Sequence, residues 1–246
     1  MSIKEKTIEQ IIAENHFVAE GLHFLGILFQ NYSEKTLAEV CKEKGLDLDY
    51  VIEKINTNTN RPHNTPMKFD GLTNELLIEY LKHNHFIFIK QRLPFIMGLV
   101  KNFEGDFPEI KNELKLVFPL FVEDFVTHIY EEEDTLFSYI LLMDSALNDQ
   151  ASLNKVQAKM MENSIKHFQS EHEVHDDHLK GLRRLTNDFE IIPTYDLNTK
   201  VVLTELKKLD EELHFHAKVE NNILFPKALE LERKVLALLR SKIALN

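Results

Sequence analysis

Histidine recurs in this chain at an interval that suits a set of long helices. His85, His128, His172 and His216 are separated by 43, 44 and 44 residues. Each falls on the apolar seam of a long helical pattern, where core-facing residues repeat at alternating steps of three and four. The first pattern starts after a Thr73 or Asn74 cap, runs Ile78, Leu81, His85, then Phe88 or Ile89, and ends in Leu93 and Ile96. The second runs Leu114, Phe118, Phe121, Phe125, His128, Glu132, Thr135, Tyr139. The third reads Ile165, Phe168, His172, His175, Leu179, Leu182, and the fourth Val202, Leu206, Leu209, Leu213, His216, Glu220, Ile223. Such spacing predicts an all-α, up-and-down four-helix bundle with one seam histidine per helix at a common depth. Pro94 and Pro119 predict a kink or a boundary in their helices, and Pro193 separates the third pattern from the fourth.

A histidine or glutamate in the seam of a bundle costs several kcal/mol in order of magnitude unless it is paired or bound to metal. The second and fourth helices add a glutamate at i+4 from the histidine, His128 with Glu132 and His216 with Glu220, which sets each pair on one face a turn apart. Four imidazoles and two carboxylates form a ligand set for two iron or manganese ions, with carboxylates bridging and imidazoles terminal. Six residues leave positions open for a bridging oxygen and a small exogenous ligand. Zinc suits the set less, because its structural sites are closed, four-coordinate and rich in cysteine. The candidate metal residues are therefore His85, His128, Glu132, His172, His216 and Glu220. His83 competes with His85 for the first place, with phase favouring His85. His175 is either a group supporting a ligand or a buried imidazole bonded to a carboxylate. Glu131, Glu133 and Asp134 read as a solvated face with room for one supporting member. The ferritin-like alternative, which needs Glu-x-x-His twice, finds that spacing clearly at Glu211 with His214 but no matching set in the seam. The plainest alternative is a structural bundle whose polar seam is only hydrogen-bonded.

The chain has 246 residues, with 29 Lys plus Arg against 40 Asp plus Glu and a formal charge of −11. An acidic balance without a basic stripe argues against nucleic acid or an anionic membrane as partner. Cys41 stands alone, so no intramolecular disulfide is expected and the cytoplasm is the default compartment. Neither a signal-peptide core nor an apolar run of the roughly 20 residues that span a bilayer is found. Turn formers crowd Asn56 to Pro66. The expected organisation is a small helical domain over residues 1–55, a linker over 56–70, and the bundle with a C-terminal helical extension over 71–246. Within the first domain the pattern predicts three short helices, the last two at Thr36 to Glu43 and Leu48 to Ile55.

Several stretches resemble a known family: His128-Ile-Tyr-Glu-Glu132-Glu-Asp-Thr-Leu-Phe137, Ser170-Glu-His172, and above all His216-Ala-Lys-Val-Glu220-Asn-Asn-Ile-Leu-Phe-Pro226. With them the chain resembles hemerythrin-like di-iron proteins, and more closely the iron-sulfur cluster repair family of the Ric or ScdA/YtfE type. A looser match is Arg92-Leu93-Pro94, from which the family's spacing counts back to Phe86, one residue from His85. Lys35-Thr36-Leu37 through Cys41, then Lys44-Gly45-Leu46-Asp47, is similar to the small helical domain of that family. Where the family carries Cys-Cys-Gly-Gly, this chain reads Gln30-Asn31-Tyr32-Ser33, so no thiol role transfers. The resemblance implies a non-haem di-iron centre, oxo- and carboxylate-bridged, with manganese the second choice. It implies a stress-response protein that helps to restore clusters damaged by nitric oxide or peroxide, by iron delivery or nitric oxide chemistry. Damaged iron-sulfur proteins or another protein would be the partner, and nitric oxide or oxygen the small ligand. Catalytic turnover and oligomeric state, a homodimer included, stay open. The alternative is a hemerythrin-like oxygen or nitric oxide binding or sensor module. Oxygen-carrying hemerythrins resemble the chain less, since they use five histidines and Asp176 stands at i+4 from His172.

Overall fold

The computed structural model describes residues 3–15, 18–59, 69, 71–104, 108–148, 150–162, 164–175 and 179–244. The described residues are helical, and the β pairing among them is one isolated bridge between Thr7 and Thr36. No described helix is long and apolar enough to cross a membrane. The chain groups into two compact units, one of residues 1–66, 93–118 and 182–208, the other of residues 67–92, 119–181 and 209–246. This grouping differs from sequence boundaries at 55 and 71, because two internal segments join the N-terminal helices.

The first unit begins with α1 (Ile8–Glu14), α2 (Val18–Phe24), α3 (Leu37–Lys44) and α4 (Leu48–Thr59). Where sequence predicts three helices over this stretch, the described residues form four α-helices, and α4 runs on into the expected linker. The rest of that linker lies outside the described residues, apart from Phe69. α1 and α3 both open with a capping box, Thr7 with Gln10 and Thr36 with Glu39. The two caps brace each other: Ile8 N–H donates to the Lys35 carbonyl at 2.9 Å and Leu37 N–H to the Lys6 carbonyl at 3.2 Å. Gly45 closes α3 in the left-handed region at φ 67°, where a side chain would be strained. Four short helices bury little by themselves. α6 (Leu93–Lys101), the start of α7 (Pro108–Glu132), the end of α11 (Lys180–Leu185) and the start of α12 (Leu197–Val219) complete this unit's core with Phe95, Phe118, Leu182 and Leu206, joined by Phe103 from the turn after α6. His23 packs on Phe95 there, with ring centroids 4.9 Å apart.

The second unit holds α5 (Asn74–Ile87), the ends of α7 and α12, α8 (Ser138–Leu147), α9 (Leu153–Glu162), α10 (Ile165–His175) and α13 (Phe225–Ala244). Thr73 is the cap of α5, its hydroxyl accepting from Leu76 N–H. α13 packs against α8 and α10 around Tyr139, Ile140, Ile165, Ala228 and Val235.

Among the described residues three π-helical turns interrupt the helices, at Phe88–Arg92, Glu133–Phe137 and Glu220–Leu224. A π turn holds one residue more than an α turn, and the seam shifts accordingly. Thr135 and Ile223, expected to be buried, are only partly so, and Leu136 and Leu224 take the core positions. Pro94 and Pro226 each follow a π turn by two residues. The ring of a helical proline clashes with the carbonyl four residues back, and here those carbonyls, of Lys90 and Asn222, belong to the widened turns. The α-helix does not end at Pro119, for α7 runs through it, although the two units divide there. Pro119 is exposed, and a carbonyl freed on the solvent side of a helix is one that water can satisfy.

Candidate metal centre

All six seam residues line one small cavity. His85 comes from the last turn of α5, His128 and Glu132 from the end of α7, His172 from α10, His216 from α12, and Glu220 opens the π turn after α12. They enclose a cavity of about 20 Å³ together with Phe125, Ile129, Leu213 and Ala217, room for roughly one water-sized centre. His85 and Glu220 are 1% exposed, Glu132 and His216 7%, and His172 8%. His128 is the partly open member.

Donor atoms of His85, Glu132, His216 and Glu220 lie within 4.8 Å of one another. His85 Nε2 is 3.1 Å from His216 Nε2 and 3.5 Å from Glu132 Oε2. Glu220 reaches both ways, with Oε1 2.9 Å from His216 Nε2 and Oε2 3.0 Å from His172 Nε2. The His172 and His128 rings are 5.9 Å apart. Each imidazole also meets a phenylalanine. Phe137 stacks on His85 at 5.7 Å and 4°, Phe88 meets His216 at 5.7 Å, Phe125 meets His128 at 6.5 Å, and Phe225 meets His172 at 5.4 Å. These rings exclude water and hold the imidazoles in place.

Burial, then the neighbouring His216, pushes the His85 pKa down to about 4. Burial and then His172 push His128 down as well, so both rings are neutral at pH 7. Burial pushes Glu220 up, but His216 and His172 outweigh it and hold the carboxyl well below its usual range. The residues fit a metal centre. Imidazole lone pairs and carboxylates are the donors that first-row transition metals take. Two cavity-facing ring nitrogens, His85 Nε2 and His216 Nε2, lie 3.1 Å apart, with Glu220 Oε1 2.9 Å from the second, a convergence of donor atoms that a cation would take up.

His83 is exposed, as is Phe86 at 54%. It is thus His85 that the fold turns inward, and the Phe88–Arg92 π turn between it and Pro94 accommodates an extra residue in the spacing. The side chains of His175, His178, His16 and His63 lie outside the described residues. His167 is exposed, and so are Glu211 and His214, which leaves the Glu-x-x-His pair of the ferritin-like alternative away from the cavity. Glu131 and Asp134 are exposed, whereas Glu133 Oε1 lies 2.8 Å from His85 Nδ1. Seam counting also missed two pairs of charges in the interior. Arg92 Nε donates to Glu212 Oε2 at 2.8 Å, and Lys208 Nζ donates to Glu205 Oε1 at 2.6 Å.

Comparison with known proteins agrees with this architecture. The chain is 25% identical over 204 residues to the iron-sulfur cluster repair protein YtfE of Yersinia pseudotuberculosis, covering 81% of this chain and 85% of that protein. It is 22% identical over 232 residues to the iron-sulfur cluster repair protein ScdA of Staphylococcus epidermidis, covering 92% and 99%. The YtfE of Escherichia coli is 23% identical over 199 residues, covering 80% and 84%. Residues 96–228 match the hemerythrin HHE cation-binding domain, a span that includes five of the six cavity donors and the aromatic rings of Phe125, Phe137 and Phe225. The chain belongs to the hemerythrin HHE cation-binding domain family.

Proposed function

We propose that His85, His128, Glu132, His172, His216 and Glu220 hold two non-haem iron ions and that the protein acts in the repair of iron-sulfur clusters damaged by nitrosative or oxidative stress, in the cytoplasm. The observation that carries this reading is the meeting of four imidazoles and two carboxylates in one buried cavity. Iron is favoured over manganese by the names of the relatives. The bound metal would supply Lewis-acid and redox chemistry toward nitric oxide or oxygen. The protein's own share is to keep His85 and His128 unprotonated, to hold Glu220 ionised between His172 and His216, and to exclude bulk water with the phenylalanine shell. Iron delivery to a damaged protein is the route proposed for repair.

Purified protein loaded anaerobically with ferrous iron should hold two ions per chain and show a near-ultraviolet band on oxidation. It should also restore activity to an iron-sulfur enzyme inactivated by nitric oxide. His216→Ala and Glu220→Ala should abolish both. Unchanged iron content in those variants refutes the site. Iron binding without restoration refutes the repair role and selects the second reading, an oxygen or nitric oxide sensor that signals to a protein partner. That reading is favoured by Gln30-Asn31-Tyr32-Ser33, which leaves buried Cys41 as the sole thiol.

A further inference from the structure

We propose that Glu133 is a positioning residue, whose carboxylate fixes His85 in the tautomer that presents a bare Nε2 to the cavity and thereby sets the metal affinity of the His85 side of the centre. The inference rests on the metal-binding reading above and deepens it.

Glu132 and Glu133 are consecutive, yet both reach the same imidazole. Glu132 Oε2 lies 3.5 Å from His85 Nε2 on the cavity side, and Glu133 Oε1 lies 2.8 Å from His85 Nδ1 on the other. The π turn Glu133–Phe137 starts between them, and its last residue, Phe137, lies parallel to the His85 ring. One turn of helix therefore grips the imidazole at both nitrogens and on its face. An ionised carboxylate only accepts hydrogen bonds, so the short contact requires Nδ1 to carry the hydrogen. Nε2 is then the lone pair, aimed at His216 Nε2 and Glu132. A carboxylate behind a ligating imidazole also makes it a stronger donor. Lys82 Nζ, 3.7 Å from Glu133 Oε2, tempers that charge. His216 lacks such a partner at Nδ1 among the described residues, so the two imidazoles that face each other are supported unequally.

The tautomer can be read without any metal, by long-range proton–nitrogen correlation spectra of the full-length, metal-free protein labelled at histidine. Wild type should show His85 as the Nδ1–H form, Glu133→Gln should keep that form through its amide oxygen, and Glu133→Leu should lose it. Ferrous iron, titrated anaerobically, should bind about 10- to 100-fold more weakly to Glu133→Leu, in the range found when such supporting groups are removed. Glu133→Gln should fall between, and Lys82→Ala should bind no more weakly than wild type. An Nε2–H tautomer in wild type, or equal affinity and tautomer in wild type and Glu133→Leu, overturns the proposal. If Glu133→Leu does not fold, Glu133→Gln decides through its affinity: no loss at all overturns the proposal. If wild type binds no iron, the proposed function fails, while the tautomer result still judges the role of Glu133.

Discussion

The anchoring of α10, the helix that carries His172, provides a quantitative test of the packing. Tyr139 is 1% exposed and donates its hydroxyl to Glu232 Oε1 at 2.9 Å, while the first amide of α10, Ile165 N–H, donates to the same oxygen at 3.1 Å. One carboxylate oxygen thus joins α8, α13 and α10. Tyr139→Phe removes one hydrogen bond to a charged acceptor, worth ~1.5–3 kcal/mol in general. Glu232 is partly open to solvent, so about 1–2 kcal/mol is expected. Glu232→Ala does more: it leaves the phenol without its acceptor, at ~1–3 kcal/mol, and removes an N-terminal cap, at ~1 kcal/mol. The expected loss is about 2–4 kcal/mol. At about 2–4 °C per kcal/mol for a chain of this size, Tyr139→Phe should lower Tm by about 2–8 °C and Glu232→Ala by about 4–16 °C. Urea denaturation of the metal-free protein supplies the free energies, and the double variant closes the cycle. Once Glu232 is gone, deleting the hydroxyl removes an unsatisfied donor and should cost nothing. Additive single effects, or a Glu232→Ala loss no larger than that of Tyr139→Phe, refute this account of the junction.

Three further outcomes follow from the same geometry. The metal-free protein should lose stability on acidification. His85 has a folded pKa of about 4 against 6.5 unfolded, so the unfolded chain takes up its proton first and the loss develops between pH 6.5 and about 4, reaching about 3 kcal/mol from this group. His128 and Glu220, both shifted down, act in the same direction, and a denaturation midpoint that is flat or rises on acidification over that window contradicts the assignment. Ferrous iron at one hundred times its dissociation constant should add about 2.7 kcal/mol, read as a Tm increase that a chelator reverses; no increase argues against binding to the folded state. His83→Ala, at an exposed position, should change stability by no more than about 0.5 kcal/mol and leave iron content intact, whereas His85→Ala should lower iron content.

The all-α architecture was legible because the apolar steps of three and four are long and regular, and the Thr73 cap was legible in its residue type. The meeting of the six polar side chains could be read from phase, since each interrupts an apolar seam; their role as ligands is the proposal made above. Phase favoured His85 over His83, and the fold agrees, burying the first and exposing the second. Phase counting slipped at Thr135 and Ile223, inside the π turns, though it placed Tyr139 correctly in the core, because nothing in the residue types announces that a turn will widen. It also assigned charges to the exterior, and so could not find Arg92 with Glu212 or Lys208 with Glu205. Those pairs are stabilised by partners 120 and 3 residues away, and the first of these separations carries no local signal. The splitting of the N-terminal region into four helices escaped for a related reason, since helices as short as α1 and α2 hold too few apolar repeats to count.

The π turns have a meaning for sequence comparison. A widened turn is a phase slip, a place where a helix can gain or lose one residue without coming apart. Removing one residue from Glu133–Phe137 would restore the ordinary α-helical advance of about 100° per residue and leave both flanks in register, with Tyr139 still facing Glu232 downstream and Glu132 still at the cavity upstream. Spacing measured across these turns is therefore an elastic ruler. A histidine on one side and a landmark proline on the other can drift apart by a single position while the donor stays where it was.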